Sequence, residues 1–345
     1  LPMEIAFAEV SRNTLEYVSR NAEGDLNEDF NLDVERITNF ERKVIGKVRD
    51  IYICKDCLVL VTTNRQSAFD RLLCTVPSKG KVLNLISLWW FEQTKSIVPN
   101  HIIASPHPNV TIGRRCLVFP VEFVMRGYIT GSTSTSMWTN YSKGMRNYCG
   151  HILPEGLIKN QILDDVKLTP TTKSDLHDEL ISAADVISSG LMSQEDWNTC
   201  EGYAYALFRH GQAVAREKGL ILVDTKYEFG KDSDGVIRVV DEIHTPDSSR
   251  YWIAATYEQN MAAAQEPDNI DKEFLRKWFT QRCDPYRDAV LPEAPASLVA
   301  ELSRRYLMSY EVLTAQPFSA AASSKQTASE AVAAWFLSND RVAVA

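Results

Sequence analysis

One ten-residue stretch, ILVDTKYEFG at residues 221–230, constrains the fold of this chain more than any other. It opens with aliphatic residues, as a β-strand does, and then carries Asp224, Lys226 and Glu228 at every second position. Side chains alternate between the two faces of a strand, so these three charges share one face. The segment GKDSDG then turns the chain into a second predicted strand, VIRVVDEIH, which contains Asp241. The sequence therefore predicts a β-hairpin with several charges on one face.

Folding this hairpin brings Asp224 or Glu228 opposite or diagonal to Asp241. Directly opposed like charges destabilise a sheet, and Lys226 can neutralise one carboxylate but hardly all of them. Because Mg²⁺ takes one or two carboxylates and leaves its other positions to water and phosphate oxygens, the pattern favours a magnesium site. An exposed hairpin face laced with salt bridges is the alternative interpretation.

Composition excludes several classes of protein. The chain has 345 residues, 45% of them hydrophobic, and a net charge of −8, which is long enough for two or three globular domains. The acidity argues against nucleic acid as a partner, and no run approaches 18 apolar residues, so no membrane span is expected. The first 36 residues carry nine acids and three bases, unlike a transit peptide or a secretory signal.

Cysteine usage bears on the compartment. Seven scattered cysteines fit a reducing environment, so we expect a cytoplasmic protein, or one of the plastid stroma if a transit peptide was removed upstream. The close pair Cys54 and Cys57 lacks a second pair to complete a zinc site, and we interpret it as incidental thiols at a turn.

Patterning along the chain predicts an alternation of strands and helices. Ser193 and Asp196 form a capping box for a helix that Gly219 ends, whereas residues 319–345 are rich in Ala and Ser and look loosely attached or disordered. The other predicted elements are a hairpin in 43–63 around a Lys55-Asp56 turn, an amphipathic helix in KVLNLISLWW, a strand in 114–130, a long loop with little pattern at 131–160, a helix from about 194 to 217, and further helices after 266.

Three further stretches carry groups that suit phosphate, because glycines allow close backbone approach and arginine matches phosphate in a fork. They are RGYITGS with Arg126 and Ser132, HTPDSSRYW with Asp247 and Arg250, and GKVRD, which places Lys47 and Arg49 on one face of a strand that starts at a glycine. GKVRD serves equally well as a solvated sheet edge. Together with the carboxylates, these stretches supply the parts of a phosphoryl-transfer site.

Six segments in this order, GKVRDIY, SAFD, VEFVMRGYITGS, TPTTKSDLHD, ILVDTKYEFG and DEIHTPDSSRYW, resemble the phosphoribosylaminoimidazole-succinocarboxamide synthase (SAICAR synthetase) family. The resemblance runs from about Arg42 to Trp252 and continues to about Leu313, and the long 131–160 loop is similar to that of plant-type members. It implies an α+β fold of the SAICAR synthetase type, two-lobed and ATP-grasp-like, with C-terminal helices.

The implied domains divide the chain into five parts. These are an N-terminal lead-in at 1–36, a β-rich ATP-binding lobe at 37–120, an α/β lobe with the substrate and metal site at 121–265, a C-terminal helical segment at 266–318, and the tail at 319–345.

The resemblance also implies an activity. Family members are carbon-nitrogen ligases of purine biosynthesis that use ATP and Mg²⁺ to join L-aspartate to carboxyaminoimidazole ribotide, giving SAICAR, ADP and phosphate. Small molecules are the implied partners, and the oligomeric state stays open.

Residue roles carried over from the family motifs fall into four groups. Asp224 and Lys226 face the reacting carboxylate, and Glu228 and Asp241 hold magnesium. The implied ATP-binding residues are Gly46, Lys47, Val48, Arg49 and Glu122, the last near the adenine-ribose side. The implied substrate-binding residues are Arg126, Ser132 and Arg250 for the ribotide phosphate, and Asp70, Lys79, Lys173, Asp175, Asp178 and Asp247 for other contacts.

Asn64 departs from the family pattern, which has Asp there. The missing carboxylate either removes a contact to the ammonium of aspartate or replaces one turn cap by another, since Asx residues commonly form turns after strands. Two other functions stay open beside the ligase. One is a nucleotide-binding protein without turnover, and the other is a small-molecule kinase.

Overall fold

A computed structural model describes residues 29–69, 71–173, 179–270, 272–322 and 324–340 of the chain. The described residues fall into two compact units. One takes its residues from Leu1–Trp89, His101–Arg115 and Ile270–Ala345, and the other from Trp90–Asn100 and Cys116–Asn269. The mixture of helices and antiparallel sheets confirms the α+β class. No helix among the described residues is long and apolar enough to cross a membrane.

The first unit is built on a five-stranded antiparallel sheet in the order β1-β2-β3-β7-β6, and β4 pairs with β5 apart from it. Ile53 pairs with Leu58, which confirms the hairpin around Lys55-Asp56. A short 3₁₀ helix, Val34–Arg36, precedes the sheet. The strands of this unit are β1 (Phe40–Ile45), β2 (Arg49–Cys54), β3 (Cys57–Thr62), β4 (Arg65–Ala68), β5 (Arg71–Thr75), β6 (Ile102–His107) and β7 (Val110–Arg114). Helix α1 (Lys79–Thr94) follows β5 and contributes its residues up to Trp89 to this unit.

The second unit is built on a seven-stranded sheet with one long strand, β14, at its centre. β14 (Leu220–Lys231) pairs with β9 (Val121–Tyr128), β15 (Ile237–Val240) and β16 (Ser249–Ile253), all antiparallel. The remaining elements of this unit are β8 (Leu117–Val118), α2 (Met137–Ser142), β10 (Asn147–Tyr148), β11 (His151–Ile152), β12 (Ile162–Leu168), β13 (Thr171–Thr172), α3 (Ala183–Ser188), α4 (Gln194–Glu217) and α5 (Ala254–Ala262).

Helix α4 covers one face of the central sheet. Ser193 accepts a hydrogen bond from the Asp196 N–H at 3.1 Å, and the chain leaves the helix at Gly219 with φ +73°, so the predicted helix is confirmed with its caps. Phe123 of β9 stacks on Trp197 of α4 with ring centroids 5.1 Å apart. The apolar face of the sheet is therefore buried against α4, which leaves the alternate side chains for the opposite face.

Residues 131–160 are more ordered than the predicted pattern-poor loop. They contain α2 and the β10–β11 hairpin, in which Tyr148 pairs with His151. Met137, Tyr141, Tyr148 and Leu153 belong to one buried cluster. A few large apolar side chains, too widely spaced for a period to show, are enough to give this segment its own core.

The C-terminal helices are α6 (Glu273–Thr280), α7 (Ala296–Thr314), α8 (Phe318–Ala321) and α9 (Ala328–Asp340). The expectation that residues 319–345 are loosely attached or disordered is wrong for α9. Val332 and Phe336 are buried in the same cluster as Tyr52, Val59 and Ile112 of the first sheet. Ala is a strong helix former, so an Ala-rich composition is compatible with a helix. A few large residues on one face of that helix suffice to dock it on the sheet.

Candidate active site

The three alternating charges of β14 lie on one face, as the sequence predicts. Nζ of Lys226 lies 2.8 Å from Oε1 of Glu228 and 2.7 Å from Oε1 of Glu122, a buried residue of β9. Asp224 lies two residues before Lys226 on the same strand and is 5% exposed. The charged face is therefore an inner surface of the unit, since its carboxylates are withdrawn from solvent.

Asp224 is flanked by two arginines from the strands on either side. It pairs across the sheet with Arg126 of β9 and with Arg250 of β16. Its carboxylate forms an ion pair with Arg250 and lies 3.6 Å from Nη1 of Arg126. Two guanidinium groups meeting at one carboxylate leave a net positive charge, which suits an anionic ligand such as phosphate.

The loop after β9 lies against the same arginines. Arg126 donates from Nη2 to the Thr135 carbonyl at 3.4 Å. Gly131 has φ +102°, and a Cβ placed there would lie 3.3 Å from Nη2 of Arg250. Ser132, the next residue, is exposed. The structure thus brings Arg126, Arg250 and the Ser132 loop together, as the phosphate-binding hypothesis requires.

A second charge cluster surrounds Glu228. Its two carboxylate oxygens accept hydrogen bonds from the ammonium groups of Lys226 and Lys173. Burial by itself would raise the pKa of Glu228, but these two lysines lower it to about 2. Burial opposes the charge of Lys226, yet Glu228, Glu122 and Asp241 raise its pKa well above the ordinary value. Both groups are therefore charged over the whole neutral range.

These pairings remove the clash from which the sequence argued for a metal. The prediction has Lys226 as the cation beside these carboxylates, and the structure adds Lys173 at Glu228 and two arginines at Asp224. The strand register also puts Val240 opposite Glu228. Asp241 lies one residue beyond Val240 and has φ +64°, so it leaves the strand there.

The donor chemistry at Glu228 and Asp241 nevertheless fits magnesium, because both supply hard carboxylate oxygens. No group of three or more His, Cys, Asp and Glu is poised to bind a metal within the part of the chain that the structure describes. A cation at Glu228 would replace Lys173, whose side chain is 47% exposed, more readily than Lys226, which is 31% exposed. The metal site stays a prediction.

In the first unit, Gly46–Val48 form the turn between β1 and β2, and β2 begins at Arg49. The expectation of a strand starting at the glycine is wrong here, because the Gly46 N–H donates to the Arg49 carbonyl at 2.8 Å and closes the turn. A Cβ on Gly46 would lie 2.7 Å from that oxygen. Arg65 holds the turn from outside by donating to the Gly46 carbonyl at 2.9 Å.

The remaining predicted substrate contacts have different placements in the structure. Lys79 is fully buried, and its ammonium donates to the Arg65 carbonyl at 2.8 Å, so in this structure it is bound by protein. Asp247 lies in the loop before β16, where its N–H donates to Thr245 Oγ1 at 3.3 Å. Asp70, Asp175 and Asp178 lie outside the described residues.

Sequence reasoning missed two threonines that hold the charged side chains. Thr169 Oγ1 accepts a hydrogen bond from Nε of Arg126 at 2.9 Å, and Thr171 donates to Oε2 of Glu122 at 3.0 Å. The signal was available, since both belong to the TPTTKSDLHD motif. The predicted contacts in that motif were limited to its charged residues.

The α+β fold presents an inner face of paired arginines, lysines and carboxylates, which suits anionic small molecules. Comparison with known proteins makes this specific. Residues 42–292 match the sequence profile of the SAICAR synthetase family. The chain belongs to the SAICAR synthetase family.

Individual relatives agree with this assignment. The phosphoribosylaminoimidazole-succinocarboxamide synthase of Legionella pneumophila (strain Paris) is 59% identical over 279 residues, which cover 81% of this chain and 89% of the relative. The chloroplastic enzyme of Arabidopsis thaliana is 56% identical over 278 residues, covering 81% and 68%. The structure of the Saccharomyces cerevisiae SAICAR synthase complexed with SAICAR is similar with a TM-score of 0.70 and 30% identity, covering 83% of this chain and 98% of the yeast chain.

Proposed function

We propose that this chain ligates L-aspartate to carboxyaminoimidazole ribotide at the expense of ATP, giving SAICAR, ADP and phosphate. The 59% identity to a phosphoribosylaminoimidazole-succinocarboxamide synthase over most of both chains supports the reaction. The observation that carries it is the meeting of Arg126 and Arg250 at Asp224, two residues along β14 from Lys226.

This arrangement offers two ligand subsites on one strand. Arg126, Arg250 and Ser132 bind the ribotide phosphate, because a guanidinium pairs with phosphate through parallel hydrogen bonds. Asp224 and Lys226 face the reacting carboxylate. Residues two apart on a strand have Cα atoms roughly 7 Å apart, so one small molecule with a phosphate at one end and a carboxylate at the other can contact both subsites.

The chemistry runs through an acyl phosphate. The ribotide carboxylate attacks the γ-phosphorus of ATP and ADP leaves; the amine of aspartate then attacks the acyl carbon, and phosphate leaves with the C–O bond pair. Lys226 neutralises the carboxylate during the first step while Glu122 and Glu228 keep its ammonium in place. Positioning and charge neutralisation are the main contributions a protein makes to phosphoryl transfer.

Nucleotide and metal are assigned from the family motifs. The turn formed by Gly46, Lys47 and Val48, with Arg49, covers the ATP phosphates, and Glu122 lies toward the nucleoside. Glu228 and Asp241 would hold Mg²⁺, which would supply stabilisation of the charge on the transferred phosphoryl group. Lys79, Lys173 and Asp247, together with Asp70, Asp175 and Asp178, are proposed as further substrate contacts.

One coupled assay tests the function. Purified chain is mixed with ATP, Mg²⁺, carboxyaminoimidazole ribotide and L-aspartate, and ADP and SAICAR are followed together. We expect ADP release that requires aspartate and equals SAICAR formation. ADP release that continues without aspartate would identify a kinase, and no ADP release under any condition would identify a nucleotide-binding protein without turnover.

A further inference from the structure

The segment 131–160 sends one fully buried side chain toward the proposed phosphate subsite. Tyr148, on β10, has 0% exposure and packs in the cluster with Met137, Tyr141 and Leu153. Its hydroxyl donates to the carbonyl of Thr135. A buried tyrosine hydroxyl that points back to the loop carrying Ser132 links the core of this segment to the subsite.

The Thr135 carbonyl is also a partner of Arg126. Nη2 of Arg126 donates to it at 3.4 Å, and the guanidinium carbon of Arg126 lies 5.9 Å from the centre of the Tyr148 ring, within cation–π range. Burial raises the pKa of the Tyr148 phenol, although the charge of Arg126 lowers it somewhat, so the hydroxyl is a neutral donor at physiological pH.

Arg126 is thereby held from several directions. Nε donates to Thr169 Oγ1 at 2.9 Å, Nη1 lies 3.6 Å from Asp224, Nη2 meets the Thr135 carbonyl, and the Tyr148 ring lies against the guanidinium. Arginine loses considerable side-chain freedom when it binds a ligand in one geometry. Contacts that fix the guanidinium beforehand reduce that loss, so they strengthen binding without touching the ligand.

We propose that Tyr148 is a positioning residue for the ribotide phosphate, contributed by the 131–160 segment. It fixes Arg126 through its ring, and it fixes the Gly131–Ser132 loop through the Thr135 carbonyl. This inference rests on the proposed function, because it takes Arg126 and Ser132 as the phosphate ligands. It assigns to the segment a role in binding the phosphate end of the substrate.

The test compares two tyrosines of the same buried cluster. Tyr148→Phe removes the hydroxyl and keeps the ring. The matched control is Tyr141→Phe, since the Tyr141 hydroxyl also bonds main chain, donating to the Pro154 carbonyl at 2.9 Å and accepting from the Leu157 N–H at 3.0 Å, but has no described contact with Arg126. For each variant the KM values for ribotide and ATP, kcat, the thermal midpoint and the inhibition constant of ribose 5-phosphate are measured.

We expect Tyr148→Phe to raise the KM for ribotide and the inhibition constant of ribose 5-phosphate about two- to tenfold, the range for one lost neutral hydrogen bond. The KM for ATP should not change, and Tyr141→Phe should leave all kinetic constants as they are. A larger increase is expected for Tyr148→Leu, which also removes the ring. Equal kinetic constants for the two Phe variants, or a ribotide effect without a ribose 5-phosphate effect, would overturn the role of Tyr148.

Arg250→Ala separates this outcome from failure of the proposed function. If Arg250→Ala raises the KM for ribotide strongly while Tyr148→Phe does not, the phosphate subsite stands and Tyr148 has no positioning role. If neither substitution affects the phosphate-bearing ligands, the subsite itself has been placed wrongly.

Discussion

Nζ of Lys226 lies 2.8 Å from Oε1 of Glu228, two residues further along the same strand. Residues two apart on a strand point the same way, so this contact is fixed by sequence position and needs no particular loop conformation. Glu122 of β9 and Lys173, the residue after β13, then continue the charge pairing. The centre of the candidate site is therefore held in place on a rigid sheet before any ligand binds.

The first prediction concerns the metal. Glu228→Gln or Asp241→Asn should lower kcat by at least about a hundredfold, because the charge stabilisation from a bound metal is worth several kcal/mol. Glu217 is an exposed residue of α4. Glu217→Gln is therefore the control, and this variant should keep the kcat of the unaltered chain. Circular dichroism checks that the fold is kept. Near-normal turnover of both site variants at saturating Mg²⁺ would contradict the metal assignment.

The second prediction concerns the phosphate subsite. Arg250→Ala should weaken the binding of ribotide far more than the binding of ATP, since charged hydrogen bonds contribute roughly 1.5–3 kcal/mol each. Arg238→Ala is the matched control, because Arg238, on β15 of the same unit, also pairs with a carboxylate, that of Asp232. An equal loss of affinity for ATP and ribotide would mean that Arg250 belongs to the nucleotide.

The third prediction concerns Asn64. In the local bend Thr63 Oγ1 accepts a hydrogen bond from the Arg65 N–H at 3.3 Å, and Asn64 Oδ1 accepts from the Gly80 N–H at 2.9 Å, in the first turn of α1. An Asp at 64 keeps that acceptor and suits a helix N-terminus. We therefore expect Asn64→Asp to leave the KM for L-aspartate unchanged.

Removal of this acceptor gives the complementary result. Asn64→Ala leaves the buried Gly80 N–H without its bond and should lower the free energy of unfolding by roughly 1–3 kcal/mol. A lower KM for L-aspartate in Asn64→Asp, measured beside the unaltered chain, would instead show that position 64 contacts the amino acid.

The fourth prediction concerns the C-terminal helix α9. Phe336 is 6% exposed in the core of the first unit, whereas its neighbour Leu337 is 57% exposed. Phe336→Ala should reduce the free energy of unfolding by about 3–5 kcal/mol, and Leu337→Ala by much less. Denaturant titration of the two variants provides the measurement. Similar small losses would show that α9 contributes little to the core.

The fifth prediction concerns acid stability. Burial lowers the pKa of His244 to about 3 and that of His107 to about 4. In the unfolded chain these two imidazoles become protonated near pH 6.5, whereas in the folded chain they stay neutral there. Their contribution to the free energy of unfolding is therefore complete above pH 6.5 and falls as the pH drops from 6.5 toward 4 and 3. Between pH 7.5 and 5 the contribution of the fully buried His244 is up to about 2 kcal/mol.

His244→Gln isolates this contribution. The variant should show a smaller change in unfolding free energy between pH 7.5 and pH 5 than the unaltered chain. Glu228, whose pKa is about 2, does not interfere in this window, because its own contribution is lost only below about pH 4.5. An unchanged pH dependence would place the titrating groups elsewhere.

By itself, the sequence determined the local features that depend on a pattern of a few neighbouring residues. The alternation in ILVDTKYEFG set which charges share a face, Ser193 and Gly219 bounded α4, and Lys55-Asp56 marked the hairpin. The ordered motifs determined the family. The strand faces, the bounds of α4 and the hairpin each depend on backbone geometry within one element or its neighbour. They can therefore be predicted without knowing the strand order or the packing of distant segments.

Only the tertiary structure decided which charges neutralise one another. Lys173 meets Glu228 across 55 residues of sequence, and Arg126 and Arg250 reach Asp224 from opposite neighbouring strands. The contact of Tyr148 with Thr135 and the burial of Phe336 were equally invisible. Such pairs are set by strand order and by the packing of segments far apart in the chain, and no short-range period in the sequence records them.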